Sequence, residues 1–238
     1  MKNKIVAWIR KQVKDAKAKG IVLGLSGGID SAVAAVLAKE AVGRNNVLVL
    51  FMPCNSNPQD LKDAQLVVKS LELKTKLVDL SDIYNNFLRV LPKGPSLAKG
   101  NLKPRLRMAA LYYFAYKLNY LVCGTGNKSE LSVGYFTKFG DGGVDILPLG
   151  DLLKSEVKEL AKDLGIPEKI INRNPSAGLW PGQTDEAEMG IIYPELDDIL
   201  ERLENKKGQI VSKNKVNKVK GMIKKSEHKR KGAGICRI

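Results

Sequence analysis

The sequence predicts an α/β fold, a single doubly wound domain in which a central, mostly parallel sheet is flanked by helices. Two observations support this prediction. Short, almost wholly apolar runs alternate with runs of helical spacing, which is typical of strands buried on both faces of a parallel sheet. The chain has 238 residues, 44% of them hydrophobic, and can therefore bury a substantial core.

The predicted elements follow in a regular order. The first 20 residues place lysines among apolar positions at helical spacing, which favours an amphipathic helix over a signal peptide. Asn57 before Pro58 is a typical helix start. We predict strands at 21–25, 47–52, 75–79 and 120–124, and further helices at 30–42, 58–71, 81–91, 102–119, 154–164, 194–203 and 213–224.

Two stretches between these elements are rich in glycine and weakly periodic. They cover residues 125–153 and 172–186. Long irregular loops tend to carry function. We therefore expect binding residues in both loops, and we expect the second loop to be mobile when no ligand is bound.

Composition narrows the class of protein. No apolar run reaches the roughly 18 residues that suggest a membrane span, so we predict a cytoplasmic protein without a membrane partner. The three cysteines, Cys54, Cys123 and Cys236, are far apart and odd in number, which favours free thiols over disulfides or a zinc site.

The positive charge is concentrated at the C-terminus. Net charge is +15, and from residue 205 onward twelve Lys or Arg stand against one acid, Glu227. This basic, helical segment has no aromatic residue to stack on bases. It fits a solvated helix face or a clamp over a polyanionic small molecule, and we predict no nucleic-acid partner.

The segment "GLSGGIDS", residues 24–31, joins the first strand to the first sheet-flanking helix. A helix start with adjacent glycines exposes backbone N–H groups and is an anion site. Ser26 and Ser31 can add hydroxyl donors. Asp30 would repel a phosphate unless a cation lies between them, which makes it a candidate Mg²⁺ ligand. The segment matches neither GxxxxGK[ST] nor GxGxxG.

"SGGIDS" resembles the pyrophosphate loop of the N-type ATP pyrophosphatases, Rossmann-like enzymes that split ATP into AMP and pyrophosphate while adenylating a substrate. "GTGNKSE", residues 124–130, follows the fourth strand, so Glu130 is expected at the same sheet edge as a second metal ligand. "NLKPRLRM", "GYFTKFGDGGVDILPLGDL", "NPSAGLWPGQTDE" and "EHKRKGA" resemble the ammonia-dependent NAD synthetases. These motifs are spread in the family's order from residue 24 to residue 231.

The resemblance implies a site on these positions. ATP would contact Gly24, Leu25, Ser26, Gly27, Gly28, Ile29, Asp30, Ser31, Thr125, Lys154 and Ser176. Deamido-NAD would contact Arg105, Lys138, Asp145, His228 and Lys229. Lys154 is also a candidate catalytic residue, and Asp141 is a candidate for orienting ammonia. Some relatives have a basic residue after the second strand, where this chain has "FMPCN".

The resemblance also implies a reaction and partners. The nicotinate carboxylate of deamido-NAD is adenylated by ATP, and ammonia then displaces AMP to give NAD. Ahead of the first loop there is no room for a glutamine-hydrolysing domain, so we expect free ammonia as donor, with a separate glutaminase as a candidate source in the cell. A homodimer is expected. The alternatives are a tRNA-modifying adenylating enzyme and a non-catalytic nucleotide sensor.

Overall fold

The protein contains a parallel sheet with helices on both faces. The computed structural model describes residues 1–180, 182–205 and 212–237. Within these ranges the strands are β1 (Gly20–Gly24), β2 (Val47–Phe51), β3 (Lys74–Leu77) and β4 (Tyr120–Val122). They form a four-stranded, all-parallel sheet in the order β3-β2-β1-β4. Each predicted strand is confirmed, with ends that differ by two residues at most.

The long helices are also confirmed. They are α1 (Lys2–Asp15), α2 (Ile29–Val42), α3 (Pro58–Leu71), α4 (Ser81–Val90), α6 (Leu102–Leu118), α8 (Lys154–Asp163), α11 (Tyr193–Asn205) and α12 (Lys213–Lys225). The sequence did not predict α5 (Ser96–Gly100), α7 (Lys128–Val133), α9 (Glu168–Ile171), α10 (Asp185–Met189), α13 (Glu227–Arg230) or a 3₁₀ turn at Arg44–Asn46. Each of these is too short to display a helical period.

The strands bury alternate residues in two different cores, as a doubly wound fold requires. Ile21 and Leu23 of β1 pack with α1, α2, α3 and α8 on one face of the sheet. Val22, between them, packs with α4 and α6 on the other face. A third apolar cluster joins α7, α11 and α12 beside the sheet. These packed layers confirm the predicted fold class.

The sheet order fixes where a ligand site can form. β1 has β2 on one side and β4 on the other, so the connections leaving β1 and β4 diverge. In open α/β sheets the crevice at this switch point, outside the carboxyl ends of the strands, is the usual ligand site. Asn57 begins α3 as predicted, since its side chain accepts a 2.9 Å hydrogen bond from Gln59 N.

The remaining predictions concern cysteines, membrane helices and the basic tail. Cys54 and Cys123 are buried, Cys236 is exposed, and all three are free thiols. Burial raises the pKa of Cys123 to about 12. No helix in the described ranges is long and apolar enough to cross a membrane. Residues 206–211 of the basic segment and Pro181 of the second loop lie outside the described residues.

Candidate active site

A cavity of about 720 Å³ opens at the carboxyl edge of the sheet, where β1 and β4 end. Its lining residues come from the turn after β1, from the segments after β2 and β4, from α6, and from the loop that begins at Arg173. Both glycine-rich loops predicted to carry function thus contribute, and Thr125 and Ser176 are among the lining residues. The predicted mobility of the second loop stays a prediction.

The turn between β1 and α2 forms one wall of this cavity. Gly28 caps α2, so the N–H groups of the first helical turn lack partners within the helix and carry the positive end of its dipole. The oxygens Ser26 Oγ and Ser31 Oγ lie 3.1 Å apart, and Ser31 Oγ donates to Gly28 O at 2.9 Å. The two hydroxyls thereby hold the shape of an anion-binding turn.

Gly27 differs from the rest of the turn because it does not line the cavity. Its φ is +80°, whereas Gly28 has φ −91°, so only Gly27 uses the left-handed freedom of glycine. A Cβ on Gly27 would lie 2.7 Å from Asp60 O. The tip of the turn is therefore in close contact with the start of α3.

Two carboxylates and one ammonium group meet at the centre of the site. Lys154 Nζ lies 2.5 Å from Asp30 Oδ2 and 3.3 Å from Glu130 Oε1. The Lys154 side chain is only 2% exposed, and the two carboxylates are 17% and 16% exposed. Asp30 comes from the first turn of α2, Glu130 from α7 and Lys154 from the first turn of α8. The structure thus brings together three residues that the sequence analysis named, and their roles in binding stay predictions.

Burial and mutual contact set the charges of this cluster. Burial raises the pKa of the Glu130 carboxyl to about 7, and the Lys154 ammonium limits that rise. Burial lowers the pKa of Lys154, but the carboxylates of Asp30 and Glu130 outweigh this effect and hold it above its ordinary value. Lys154 therefore carries its positive charge at neutral pH.

Sequence reasoning missed the residues that support this cluster. Asn127 Nδ2 donates to Asp30 Oδ1 at 2.9 Å, and the same side chain caps α7 in a capping box with Glu130. Tyr193 Oη donates to Asp185 Oδ2 at 3.0 Å and lies 3.3 Å from Glu130 Oε1. The Asn127-x-x-Glu130 spacing is a capping-box pattern and could have been found in the sequence.

A guanidinium group reaches the segment after β2 from α6. Arg107 Nε donates to Met52 O and its Nη2 donates to Ser56 Oγ, each at 3.0 Å. This chain lacks a basic residue directly after β2, so Arg107 supplies positive charge there from another element. Sequence reasoning missed it, because nothing in the local pattern shows which α6 residue points toward β2.

Asp141 and Lys229 also contribute to the lining of the cavity. Asp141 Oδ1 accepts a 2.9 Å hydrogen bond from Thr137 N, and burial raises its pKa above the ordinary value. Lys229 Nζ donates to Gly134 O at 2.7 Å and to Phe136 O at 2.8 Å, and burial lowers its pKa. The roles predicted for Asp141 and Lys229 stay predictions.

Four predicted deamido-NAD residues do not line the cavity: Arg105, Lys138, Asp145 and His228. Arg105 Nη2 lies 3.4 Å from Lys138 O, and Lys138 Nζ donates to His228 O at 2.6 Å. Asp145 instead accepts hydrogen bonds from Val122 N and from the hydroxyl of Tyr112. Their roles in binding stay predictions.

Comparison with known proteins assigns the chain to a family. The NAD synthase family model matches residues 1–233, so the chain belongs to the NAD synthase family. Two curated relatives are each named NH(3)-dependent NAD(+) synthetase. The Carboxydothermus hydrogenoformans protein is 50% identical over 96% of this chain and 93% of its own length. The Archaeoglobus fulgidus protein is 49% identical over 99% and 96%.

Solved structures give the same family. An NMN synthetase from Francisella tularensis matches with TM-score 0.92 and 41% identity, over 100% of this chain and 97% of that one. An NH3-dependent NAD synthetase from Campylobacter jejuni matches with TM-score 0.86 and 33% identity, over 99% and 97%. A glutamine-dependent NAD+ synthetase from Acinetobacter baumannii, with TM-score 0.69 and 32% identity, is covered over only 45% of its length. The family resemblance seen in the sequence is confirmed.

Proposed function

We propose that this cavity is the active site in which the chain amidates deamido-NAD with ammonia, using ATP, to give NAD, AMP and pyrophosphate. This is the last step of NAD biosynthesis, and the enzyme is a ligase that forms a C–N bond. The observation that carries the proposal is the convergence of an anion-binding turn with Asp30, Glu130 and Lys154 at the switch point of the sheet.

In the first step, an oxygen of the nicotinate carboxylate attacks the α-phosphorus of ATP. The bond from that phosphorus to pyrophosphate breaks, and a mixed anhydride with AMP forms. Pyrophosphate leaves with high negative charge, so fixed donors at the leaving oxygens lower the barrier. The N–H groups at the start of α2 and the Lys154 ammonium would supply this stabilisation, because both face the same part of the cavity.

The same cluster suits a magnesium ion. Asp30 and Glu130 place carboxylate oxygens within 3.3 Å of one cationic atom, Lys154 Nζ, so both can reach a shared cation. Oxygen ligands are those that Mg²⁺ prefers. We propose that Asp30 and Glu130 hold Mg²⁺, which when bound would neutralise charge on the pyrophosphate.

In the second step, ammonia attacks the acyl carbon, the bond to AMP breaks, and one proton is released. Asp141 is proposed to orient ammonia or accept that proton, because it is a carboxylic acid among the residues that line the cavity. Burial raises the pKa of this carboxyl, which improves it as a proton acceptor. We propose free ammonia as the nitrogen donor in vitro, with a separate glutaminase as a source in the cytoplasm.

Deamido-NAD is proposed to bind across a homodimer. Arg105, Lys138 and His228 lie together outside the cavity of one chain. On α6, Tyr113 and Tyr116 are 62% and 94% exposed, which suits burial by a second subunit. Sedimentation in solution is expected to give twice the mass of one chain, and a monomer at assay concentrations would contradict the dimer.

One assay tests the proposed function. The chain is incubated with ATP, Mg²⁺, ammonium and deamido-NAD, and NAD, AMP and pyrophosphate are measured. We expect equal amounts of the three products, and no NAD when glutamine replaces ammonium. Release of ADP, or no NAD, would refute the proposal.

A second acceptor belongs in the same assay. The Francisella tularensis structure, 41% identical to this chain, is described as an NMN synthetase. Nicotinic acid mononucleotide should therefore be compared with deamido-NAD at equal concentrations. We expect the higher kcat/KM with deamido-NAD, and the reverse order would assign the chain to synthesis of the mononucleotide amide.

A further inference from the structure

Arg173 lies directly behind the phosphate-binding turn and connects three segments. Its Nη2 is paired with Asp60 Oδ1, and its Nη1 lies 3.2 Å from Asp63 Oδ2. The same Nη1 is 3.5 Å from the carbonyl oxygen of Gly27. Arg173 also begins the loop that contains Ser176, so one guanidinium group contacts the turn, the first part of α3 and this loop.

The charges explain why a cation is needed at this position. Asp60 lines the cavity near the turn that would bind phosphates, and Asp63 is only 5% exposed in its side chain. An unpaired carboxylate at Asp60 would repel pyrophosphate. Lys169 Nζ pairs with Asp63 at 2.7 Å, but among the described residues the cation paired with Asp60 is Arg173.

The packing of Gly27 makes the turn sensitive to this cluster. A Cβ on Gly27 would lie 3.2 Å from Arg173 Nη1 and 3.2 Å from Asp63 Cβ, in addition to its clash with Asp60 O. The space beside Gly27 is thus bounded by atoms of Asp60, Asp63 and Arg173. A displacement of Arg173 or Asp60 would move Gly27 and with it the N–H groups that face the cavity.

We propose that Arg173 is a positioning residue for the pyrophosphate half of ATP. It neutralises Asp60, holds Gly27 in place and fixes the start of the Ser176 loop against the turn. The inference rests on the proposed function in one respect, namely that the turn binds the phosphates of ATP. Arg173 itself has no role in bond making.

The test compares Arg173→Met with Lys169→Met. Both variants remove a cation paired with Asp63, but only Arg173 contacts Asp60 and Gly27. Pyrophosphate binding is measured by calorimetry with Mg²⁺, and steady-state kinetics give the KM for ATP. Arg173→Met should weaken pyrophosphate binding about tenfold and raise the KM for ATP about tenfold, which is the scale of one lost charge-assisted hydrogen bond. Lys169→Met should change each quantity less than about twofold.

A double variant separates charge from packing. In the Arg173→Met background, Asp60→Asn removes the carboxylate that has lost its partner, so pyrophosphate affinity should recover to within about threefold of the wild-type value. A structural defect alone would not be repaired in this way. Arg173→Lys keeps one positive charge beside Asp60 but loses the planar guanidinium group, so its loss of pyrophosphate affinity should be smaller than that of Arg173→Met.

The outcomes are distinct. Equal losses in Arg173→Met and Lys169→Met, or no recovery with Asp60→Asn, would overturn the proposal. If Arg173→Met does not fold, the proposal is tested by the double variant and by Arg173→Lys, and a tenfold loss in both would overturn it. Pyrophosphate binding is measured without deamido-NAD, so a wild-type chain that binds pyrophosphate but makes no NAD contradicts the proposed function and leaves the role of Arg173 testable.

Discussion

The residues predicted to bind the phosphates and those predicted to bind the dinucleotide, termed the phosphate end and the dinucleotide end, differ in how they are held. At the phosphate end, Asp30, Glu130 and Lys154 contact one another within a single chain and line the cavity. At the dinucleotide end, Lys138 and Lys229 donate to backbone carbonyl groups, and Lys138 does not line the cavity. At the phosphate end the predicted binding groups contact one another. At the dinucleotide end the two lysines instead contact the backbone of the chain itself.

This difference shows which site residues can be predicted from the sequence of one chain. Residues after neighbouring parallel strands meet at one sheet edge, so the phosphate end follows from topology. The dinucleotide end depends on side chains from α6, a loop and the C-terminal tail, and no rule of strand order brings these together. Variants at both ends measure whether this contrast also holds for activity.

The largest effect is expected for Lys154→Met. Loss of the ammonium leaves the carboxylates of Asp30 and Glu130 without their ion-pair partner and removes a positive charge that would stabilise the leaving pyrophosphate. We expect kcat/KM to fall by about 10²- to 10³-fold, measured as NAD formation. Lys128→Met is the matched control, because Lys128 is paired with Asp151 and Glu204 away from the cavity. Similar losses in the two variants would contradict a specific role for Lys154.

A smaller effect, on stability, is expected for Asp145→Asn. Asp145 Oδ2 accepts from Val122 N at 2.7 Å, and its Oδ1 accepts from the Tyr112 hydroxyl at 3.0 Å. The change should lower the free energy of unfolding by about 1–3 kcal/mol, measured with urea. Tyr112→Phe removes one of these bonds and should cost less. An unchanged stability together with a raised KM for deamido-NAD would instead support the ligand role implied by the family.

The contrast between the two ends also shows what sequence reasoning could reach. The strands were predictable because their apolar runs are buried on both faces, and Val22 and Leu23 of β1 pack in opposite cores. Asp30 and Glu130 were placed together by strand order. The contacts of Arg107 and Arg173 could not be predicted, because each residue contacts a segment more than 50 residues away and no local sequence pattern indicates that contact.

Lys229→Ala tests the dinucleotide end directly. Lys229 holds the carbonyl groups of Gly134 and Phe136, so its loss should disturb the wall of the cavity near Asp141. We expect the KM for deamido-NAD to rise by about tenfold and the KM for ATP to rise less than about twofold. Lys231→Ala removes an equal charge from a surface pair with Glu227 and should change neither. Equal increases in both KM values would argue against a role limited to deamido-NAD.

The smallest effect concerns the pH dependence of stability. Burial and the hydrogen bond to Asp145 raise the pKa of Tyr112 to about 12, against about 10 in the unfolded chain. The stabilisation that follows from this shift is complete below about pH 10 and is lost as pH rises toward about 12. Tyr112→Phe has no ionisable hydroxyl, so its free energy of unfolding in urea should fall less between pH 9 and pH 11 than that of the wild type. Parallel declines would show that neither burial nor the Asp145 contact holds the neutral phenol, and would weaken the structural role assigned to Asp145.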